Sequence, residues 1–143
     1  MKSLTIVIPT FNGLGWLSQS IHSFLAQEYL DTWEILIIDS GSTDGTVEFV
    51  KQFDRVRMHQ IASTSFGHGA TRNLAVSLAT GELILFTVQD AVPRDNQWLK
   101  GMVTSLLENE LDAVCGGQAV PHDTDKNPMQ WYRPLSNDDS VDI

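Results

Sequence analysis

Residues 35–45 read Ile35-Leu36-Ile37-Ile38-Asp39-Ser40-Gly41-Ser42-Thr43-Asp44-Gly45 and decide the fold. The first four are apolar on both faces of an extended chain, as a strand inside a parallel sheet must be. The strand ends at Asp39, and the polar cluster after it can cap a helix that carries Val47 and Phe53. A buried strand that turns through polar residues into a helix is the first half of a βαβ unit.

The rest of the sequence repeats this alternation. It predicts strands at residues 4–8, 56–61, 83–88 and 113–115, and helices over residues 16–27, 70–79 and 98–107. Pro9 would close the first strand, because it has no N–H for a ladder hydrogen bond. Together these elements predict an α/β fold, with a Rossmann-like, mainly parallel sheet and helices on both faces. In the commonest doubly wound order, strand two lies on one side of strand one and strand four on the other.

Composition limits the partners and the compartment. The 143 residues are 42% hydrophobic and carry a formal net charge of −9, so no nucleic acid partner is expected, since such partners need basic surfaces. Cys115 is the only cysteine, which excludes an intrachain disulfide. No charged leader with an apolar stretch opens the sequence, and no apolar run is long enough for a transmembrane segment. We therefore expect a cytoplasmic protein, or one held peripherally at the inner face of the membrane.

Polar residues follow three of the predicted strands. Thr10, Asp39 and Asp90 would end adjacent strands, at the edge where open α/β sheets bind ligands. Arg72 lies in the first turn of a helix introduced by two glycines, where backbone N–H groups favour an anion. A carboxylate that closes an apolar strand, as Asp90 does, is costly near a core unless it is paired. Mg²⁺ or Mn²⁺ is a natural partner beside ligand phosphates, so the pattern predicts a nucleotide site with a divalent cation.

Each segment also has a purely structural explanation. The residues from Asp39 to Gly45 could form only a turn and a helix cap, residues 9–12 could simply end a strand, and Arg72 could be a solvated helix residue. Two other classes of protein use a similar sheet. A sugar-phosphate nucleotidylyltransferase has a basic, glycine-rich loop after strand one, but residues 10–14 contain no cation. A non-catalytic nucleotide-binding α/β module of the receiver type would need an acidic cluster after strand one, and residues 10–14 contain no acidic residue.

Four motifs occur in order along nearly the whole chain. They are Val7-Ile8-Pro9-Thr10-Phe11-Asn12, the run from Ile37 to Thr46, Ala70-Thr71-Arg72-Asn73 and Ala79-Thr80-Gly81-Glu82. In this order they resemble the family 2 inverting glycosyltransferases, which have the GT-A fold. The run from Phe66 to Asn73, with Gln89 to Pro93 and Val120-Pro121-His122, looks most like the rhamnosyltransferase-like branch of that family.

The resemblance and the positions of these residues imply a site. The predicted nucleotide-binding residues are Pro9, Thr10, Phe11, Asn12, Asp39, Ser40, His68, Arg72 and Gln89. Asp90 matches the last carboxylate of the family's Asp-x-Asp metal motif and would bind Mg²⁺ or Mn²⁺. Val88 stands where the pattern has its first aspartate, so one contact to the ribose or the metal is missing. No catalytic residue is assigned in this chain, because the family's general base is expected beyond Ile143.

The implied reaction transfers a sugar, with inversion, from a UDP- or dTDP-sugar to a hydroxyl of a saccharide or lipid-linked acceptor, in bacterial surface polysaccharide synthesis. Residues 1–120 would form the GT-A nucleotide-sugar-binding domain, the nucleotide-binding half of a longer enzyme. Residues 121–143 are an acidic, proline-containing tail that would lead to a missing acceptor-binding segment, so this chain would be inactive alone. That segment, or a second copy in a homodimer, would cover the tail's apolar residues Met129, Trp131, Tyr132 and Leu135.

Overall fold

The computed structural model describes residues 2–29 and 31–117. The chain divides into two compact units, Met1–Gly101 and Met102–Ile143. The described part of the second unit, residues 102–117, continues the last helix and then has no regular structure. The predicted tail at residues 121–143, and the boundary before it, lie outside the described residues. None of the helices in the described ranges is both long and apolar enough to cross a membrane.

Strands and helices alternate along the described chain, as the sequence predicts. The strands are β1 (Leu4–Thr10), β2 (Trp33–Asp39), β3 (Val56–Gln60) and β4 (Leu83–Phe86); the helices are α1 (Leu14–Leu25), α2 (Thr46–Val50), α3 (His68–Leu78) and α4 (Trp98–Glu108), with a short 3₁₀ helix at Ser63–Ser65. All neighbouring strands are parallel, in the order β3-β2-β1-β4. The α/β fold and the predicted neighbours of strand one are confirmed.

The core lies on both faces of this sheet. On one face Val7, Leu36 and Ile38 pack with Ala75 of α3, and all four are completely buried. Side chains alternate along a strand, so the residues between them point to the opposite face. Those residues are also completely buried: Ile6, Ile8, Ile35 and Ile37. Helix α1 adds the buried side chains of Leu17, Ile21 and Phe24 to the core.

The prediction that Pro9 ends the first strand was wrong. β1 continues to Thr10, and Pro9 pairs in register with Ile38 of β2. Alternate residues of a parallel strand present their hydrogen-bonding groups to opposite neighbours. The Thr10 carbonyl accepts the Ser40 N–H at 3.0 Å, just after β2, so Thr10 faces β2. Pro9, one residue earlier, therefore faces β4. β4 has already ended at Phe86, opposite Val7, so the N–H that Pro9 lacks has no ladder partner to satisfy.

Two other predictions about strands were wrong. β4 ends at Phe86, two residues before the predicted end at Val88. Ala113 to Cys115 form no strand in the structure, and Ala113 and Cys115 are exposed. A run of three residues has too little apolar surface to specify a strand by itself, and no described strand pairs with it.

A polar network joins neighbouring strands near their amino-terminal ends. Glu34 on β2 accepts two hydrogen bonds from the Arg57 guanidinium, at 3.0 and 3.1 Å. It also accepts from the hydroxyls of Thr80, at 2.8 Å, and Thr5, at 3.0 Å. Burial raises the pKa of Glu34, but these hydrogen bonds and the Arg57 charge outweigh it and lower that pKa from 4.5 to about 2.

The depressed pKa makes the contribution of Glu34 to stability dependent on pH. Because the folded pKa lies below the unfolded value, the contribution is complete above about 4.5 and is lost as the pH falls toward about 2. Arg57 is partly solvated, so we expect Glu34→Gln to lower the free energy of unfolding at neutral pH by about 1–2 kcal/mol. Urea unfolding of both proteins across this pH range measures the difference, which should shrink in acid. A difference that stays constant would contradict the assigned network.

Candidate functional site

A cleft of about 380 Å³ opens at the carboxyl-terminal edge of the sheet. It is lined by residues from the ends of β1 and β2, from the segment before α3, from α3 itself and from the chain after β4. These residues are Pro9, Thr10, Phe11, Ser40, Ser63, Phe66, His68, Arg72, Val88 and Gln89. Seven of the predicted nucleotide-binding residues therefore lie together: Pro9, Thr10, Phe11, Ser40, His68, Arg72 and Gln89.

The cleft has apolar walls that are open to solvent. Phe11 is 52% exposed, Phe66 41% and Val88 48%. Phe66 also contacts the His68 ring edge-on, with 5.1 Å between the ring centroids. Exposed aromatic faces are surfaces on which a nucleobase stacks.

The start of α3 gives the cleft an anion-binding side. The first N–H groups of a helix have no partner within the helix, and the helix dipole places partial positive charge there. Arg72, one turn in, donates from Nη1 to the His68 carbonyl at 3.1 Å, which holds the guanidinium near the helix start. Among the described residues that line the cleft, Arg72 is the one charged side chain. Phosphate oxygens fit this arrangement.

Asn12 and Asp39 do not line the cleft; they brace the loops around it. The side-chain oxygen of Asn12 accepts from the Thr43 N–H at 2.8 Å. The backbone N–H of Asn12 donates to the Ser42 hydroxyl, also at 2.8 Å. The Asp39 carboxylate is completely buried and accepts from the N–H groups of Gly41, at 3.2 Å, and Ser42, at 3.1 Å. It also accepts from the Ser42 hydroxyl and from the Gln60 amide.

The structural explanation of residues 39–45 holds for Asp44. Its carboxylate accepts from the N–H of Thr46, at 3.1 Å, and from the Thr46 hydroxyl, at 2.5 Å, which caps α2. It also accepts from the Leu14 N–H at the start of α1, at 3.0 Å. The Thr46 hydroxyl and the Leu14 N–H lower the pKa of Asp44. One aspartate thus caps two helices, and Gly45 provides the turn with φ at +92°.

Asp90 does not lie at the end of a strand, where the sequence predicted it. That prediction set its carboxylate at a strand end near the core, but β4 stops at Phe86 and the chain turns outward, so Asp90 is exposed. Among the described residues no group of three or more His, Cys, Asp or Glu could hold a metal ion. Asp90 follows Gln89 of the cleft wall and has no hydrogen bond or ion pair within the described ranges. A single exposed carboxylate fits a cation such as Mg²⁺, which takes its remaining ligands from phosphates and water.

Three residues of the cleft were not predicted: Ser63, Phe66 and Val88. Phe66 was in the motif with Arg72 and adjoins Gly67, so its aromatic type beside a predicted anion site was an available signal. Val88 was noted only as a missing carboxylate. Ser63 lies in a three-residue 3₁₀ helix, which is too short to be predicted from hydrophobic periodicity.

The fold and the cleft define an α/β domain with a site suited to a nucleotide. Residues 5–138 match Glycosyl transferase family 2, and the chain belongs to that family. This membership confirms the resemblance and decides against the nucleotidylyltransferase and receiver alternatives.

Similar proteins include two O-antigen chain rhamnosyltransferases. RfbN of Salmonella typhimurium is 35% identical over 141 residues, which cover 98% of this chain and 44% of RfbN. WbaN of Salmonella anatum is 31% identical over 131 residues, which cover 90% of this chain and 40% of WbaN. The chain thus spans less than half the length of these relatives.

Solved structures share the fold. Staphylococcus aureus TarS 1–349 in complex with UDP aligns with a TM-score of 0.70 and 26% identity, covering 83% of this chain and 38% of TarS 1–349. The mannosyltransferase PcManGT of Pyrobaculum calidifontis, in complex with GDP-Man and Mn²⁺, aligns with a TM-score of 0.68 and 26% identity, covering 74% of this chain and 32% of its own.

Proposed function

We propose that this chain is the nucleotide-binding part of a glycosyltransferase that moves a sugar, with inversion, from a nucleoside-diphosphate sugar to an acceptor hydroxyl. The observation that carries the proposal is the combination of groups that line the cleft of a family 2 chain. The exposed aromatic rings of Phe11 and Phe66 line it together with Arg72, which lies near a helix start. A nucleoside diphosphate needs both kinds of group, since it has a flat base at one end and charged phosphates at the other.

The relatives support a donor and a setting. Two of them are named for rhamnose transfer to O-antigen chains, and a structural neighbour binds UDP. We infer a UDP- or dTDP-sugar donor, a saccharide or lipid-linked acceptor and a role in bacterial surface polysaccharide synthesis. A location in the cytoplasm or at the inner face of the membrane, and a homodimer, stay predictions.

The residues of the cleft would serve the departure of the diphosphate. Negative charge grows on the leaving phosphate as the bond to the sugar breaks, and fixed positive groups lower the barrier by stabilising it. Arg72 and the N–H groups at the start of α3 are such groups. A bound Mg²⁺ or Mn²⁺ would neutralise further charge there, and Asp90 would hold it. We place the general base outside these 143 residues, as the family resemblance implies; the described residues that line the cleft include no carboxylate.

Titration with UDP and dTDP, each with and without Mn²⁺, tests this function. The wild type is expected to bind at least one of them, more tightly with Mn²⁺. Arg72→Ala should weaken binding by about 10- to 100-fold, since it removes charge-assisted hydrogen bonds to phosphate. Arg94→Ala is the matched control, because Arg94 is exposed and does not line the cleft. Equal affinities of wild type and Arg72→Ala, or no binding by the wild type, would refute the proposal.

A further inference from the structure

The edge of β1 that faces β4 runs out of backbone partners at the cleft. The Val7 carbonyl accepts the Thr87 N–H at 3.0 Å, just past the end of β4. Two residues on, Pro9 has no N–H to donate. Two residues after Pro9, Phe11 faces the same side, but β4 has already ended at Phe86 and cannot pair with it.

The Gln89 side chain takes the place of the missing strand. Its Oε1 accepts the Phe11 N–H at 3.1 Å, and its Nε2 donates to the Phe11 carbonyl at 3.4 Å. A primary amide carries a donor and an acceptor, as a peptide group does, so it can satisfy both backbone groups of one residue. Gln89 thus fixes the backbone that carries the exposed Phe11 ring in the cleft.

Gly13 leaves room for this amide. A Cβ at position 13 would lie 2.2 Å from Oε1 and 2.6 Å from Cδ of Gln89. The backbone does not require glycine there, because φ is −110°, a value that any residue adopts. The close approach of Gln89 is therefore the structural reason for glycine at position 13, and a methyl group there would displace the end of a flexible side chain.

We propose that Gln89 is a positioning residue, which holds the Phe11 backbone so that its ring is preset for the base of the nucleotide. This inference rests on the proposed function of the cleft. It changes the role expected from the sequence, which was a direct contact with the nucleotide. Ordering a binding residue in advance lowers the entropy lost on binding, so the amide would act on affinity through Phe11.

Three variants test the proposal: Gln89→Ala, Gly13→Ala and the double variant, with Gly15→Ala as the control. A Cβ at Gly15 would meet nothing within 4 Å. Each single change is expected to lower the affinity for UDP or dTDP about five- to tenfold, because two hydrogen bonds are lost. The double variant should be no weaker than either single variant, since both changes break the same contact. Losses that multiply would overturn the proposal.

Manganese separates positioning from ligand binding. The losses should be the same with and without Mn²⁺, because the proposed role of Phe11 is to contact the base and not the phosphates or the cation. A loss confined to the Mn²⁺ measurements would overturn the proposal, as Gln89 would then act at the cation.

Hydrogen exchange of the Phe11 amide, followed by NMR without nucleotide, tests the contact independently of binding. Exchange should be faster in Gln89→Ala and Gly13→Ala and unchanged in Gly15→Ala. Unchanged exchange in the first two would overturn the proposal, whatever the nucleotide data show. Faster exchange in a protein whose wild type binds neither nucleotide would contradict the function proposed for the cleft while supporting the Gln89 contact.

Discussion

Replacing Asp39 with alanine is expected to weaken nucleotide binding by about tenfold or more, equally with and without Mn²⁺. The carboxylate is completely buried and accepts from Gly41, Ser42 and Gln60. Without it, the N–H groups of Gly41 and Ser42 lose their partner, and these residues directly follow Ser40, which lines the cleft. A hydrogen bond that Asp39 accepts directly from the base, as the family resemblance implies, would add to the loss but would not make it depend on the metal.

Asp90→Ala is expected to differ in kind. Asp90 is exposed and supports no other residue in the described part of the chain, so the affinity without Mn²⁺ should stay at the wild-type value. Only the gain in affinity that Mn²⁺ gives should disappear, because the proposed role of Asp90 is to bind the cation.

Calorimetric titration of the two variants with and without Mn²⁺ measures the difference. Asp54→Ala serves as the control, since Asp54 is exposed and lies outside the cleft lining. Asp39→Asn keeps the volume and one acceptor oxygen, so it provides a folded comparison if the alanine variant melts at a much lower temperature. Equal losses from Asp39→Ala and Asp90→Ala in the absence of Mn²⁺ would refute the separation of roles.

Periodicity and residue type predicted the four strands of the sheet, although not where each of them ends. The run Ile35 to Ile38 is apolar on both faces, and a parallel strand with helices on both sides is the structure that buries such a run. The position of strand four beside strand one was predicted from the commonest doubly wound strand order. The confirmed neighbours of β1 then brought Thr10 and Asp39 into register at one edge.

What the sequence could not predict depends on where a strand loses its neighbour. Apolar character continues through Val88, but β4 ends at Phe86 because hydrogen bonding to β1, and not hydropathy, sets its length. The shorter strand moves Asp90 out to solvent and frees Gln89 to reach Phe11. A pattern of residue types contains no information on such side-chain to backbone contacts between segments 78 residues apart.

The same limit applies to the loops around the cleft. Serine, aspartate and asparagine bind ligands and cap backbone groups with the same atoms, so composition alone leaves both roles open. The structure assigns Asp44 to capping and Asn12 to bracing the loop at Thr43. Arg72 differs, because the two glycines before its helix already predicted its place near the helix start. The structure adds its hydrogen bond to the His68 carbonyl.

The polypeptide of residues 1–143 is expected to bind a nucleoside diphosphate and yet transfer sugar to no acceptor. Stabilising the departing diphosphate is not sufficient for transfer, because turnover also needs a base within hydrogen-bond reach of a positioned acceptor hydroxyl. The cleft residues that the structure describes include no carboxylate. The chain also covers only 44% of the length of RfbN, so we expect the remaining parts of such proteins to supply the base and the acceptor site.

The measurement is acceptor-dependent release of nucleoside diphosphate from UDP- and dTDP-sugars, with full-length RfbN as the positive control. A missing general base alone costs about 10²- to 10⁴-fold in rate, and loss of the acceptor site adds to that, so only slow hydrolysis of the donor should remain. Arg72→Ala should lower even this hydrolysis, because it would remove stabilisation of the departing diphosphate. Efficient acceptor-dependent release by residues 1–143 would show that the base lies within this chain, and His68, which lines the cleft, would then be the first residue to replace.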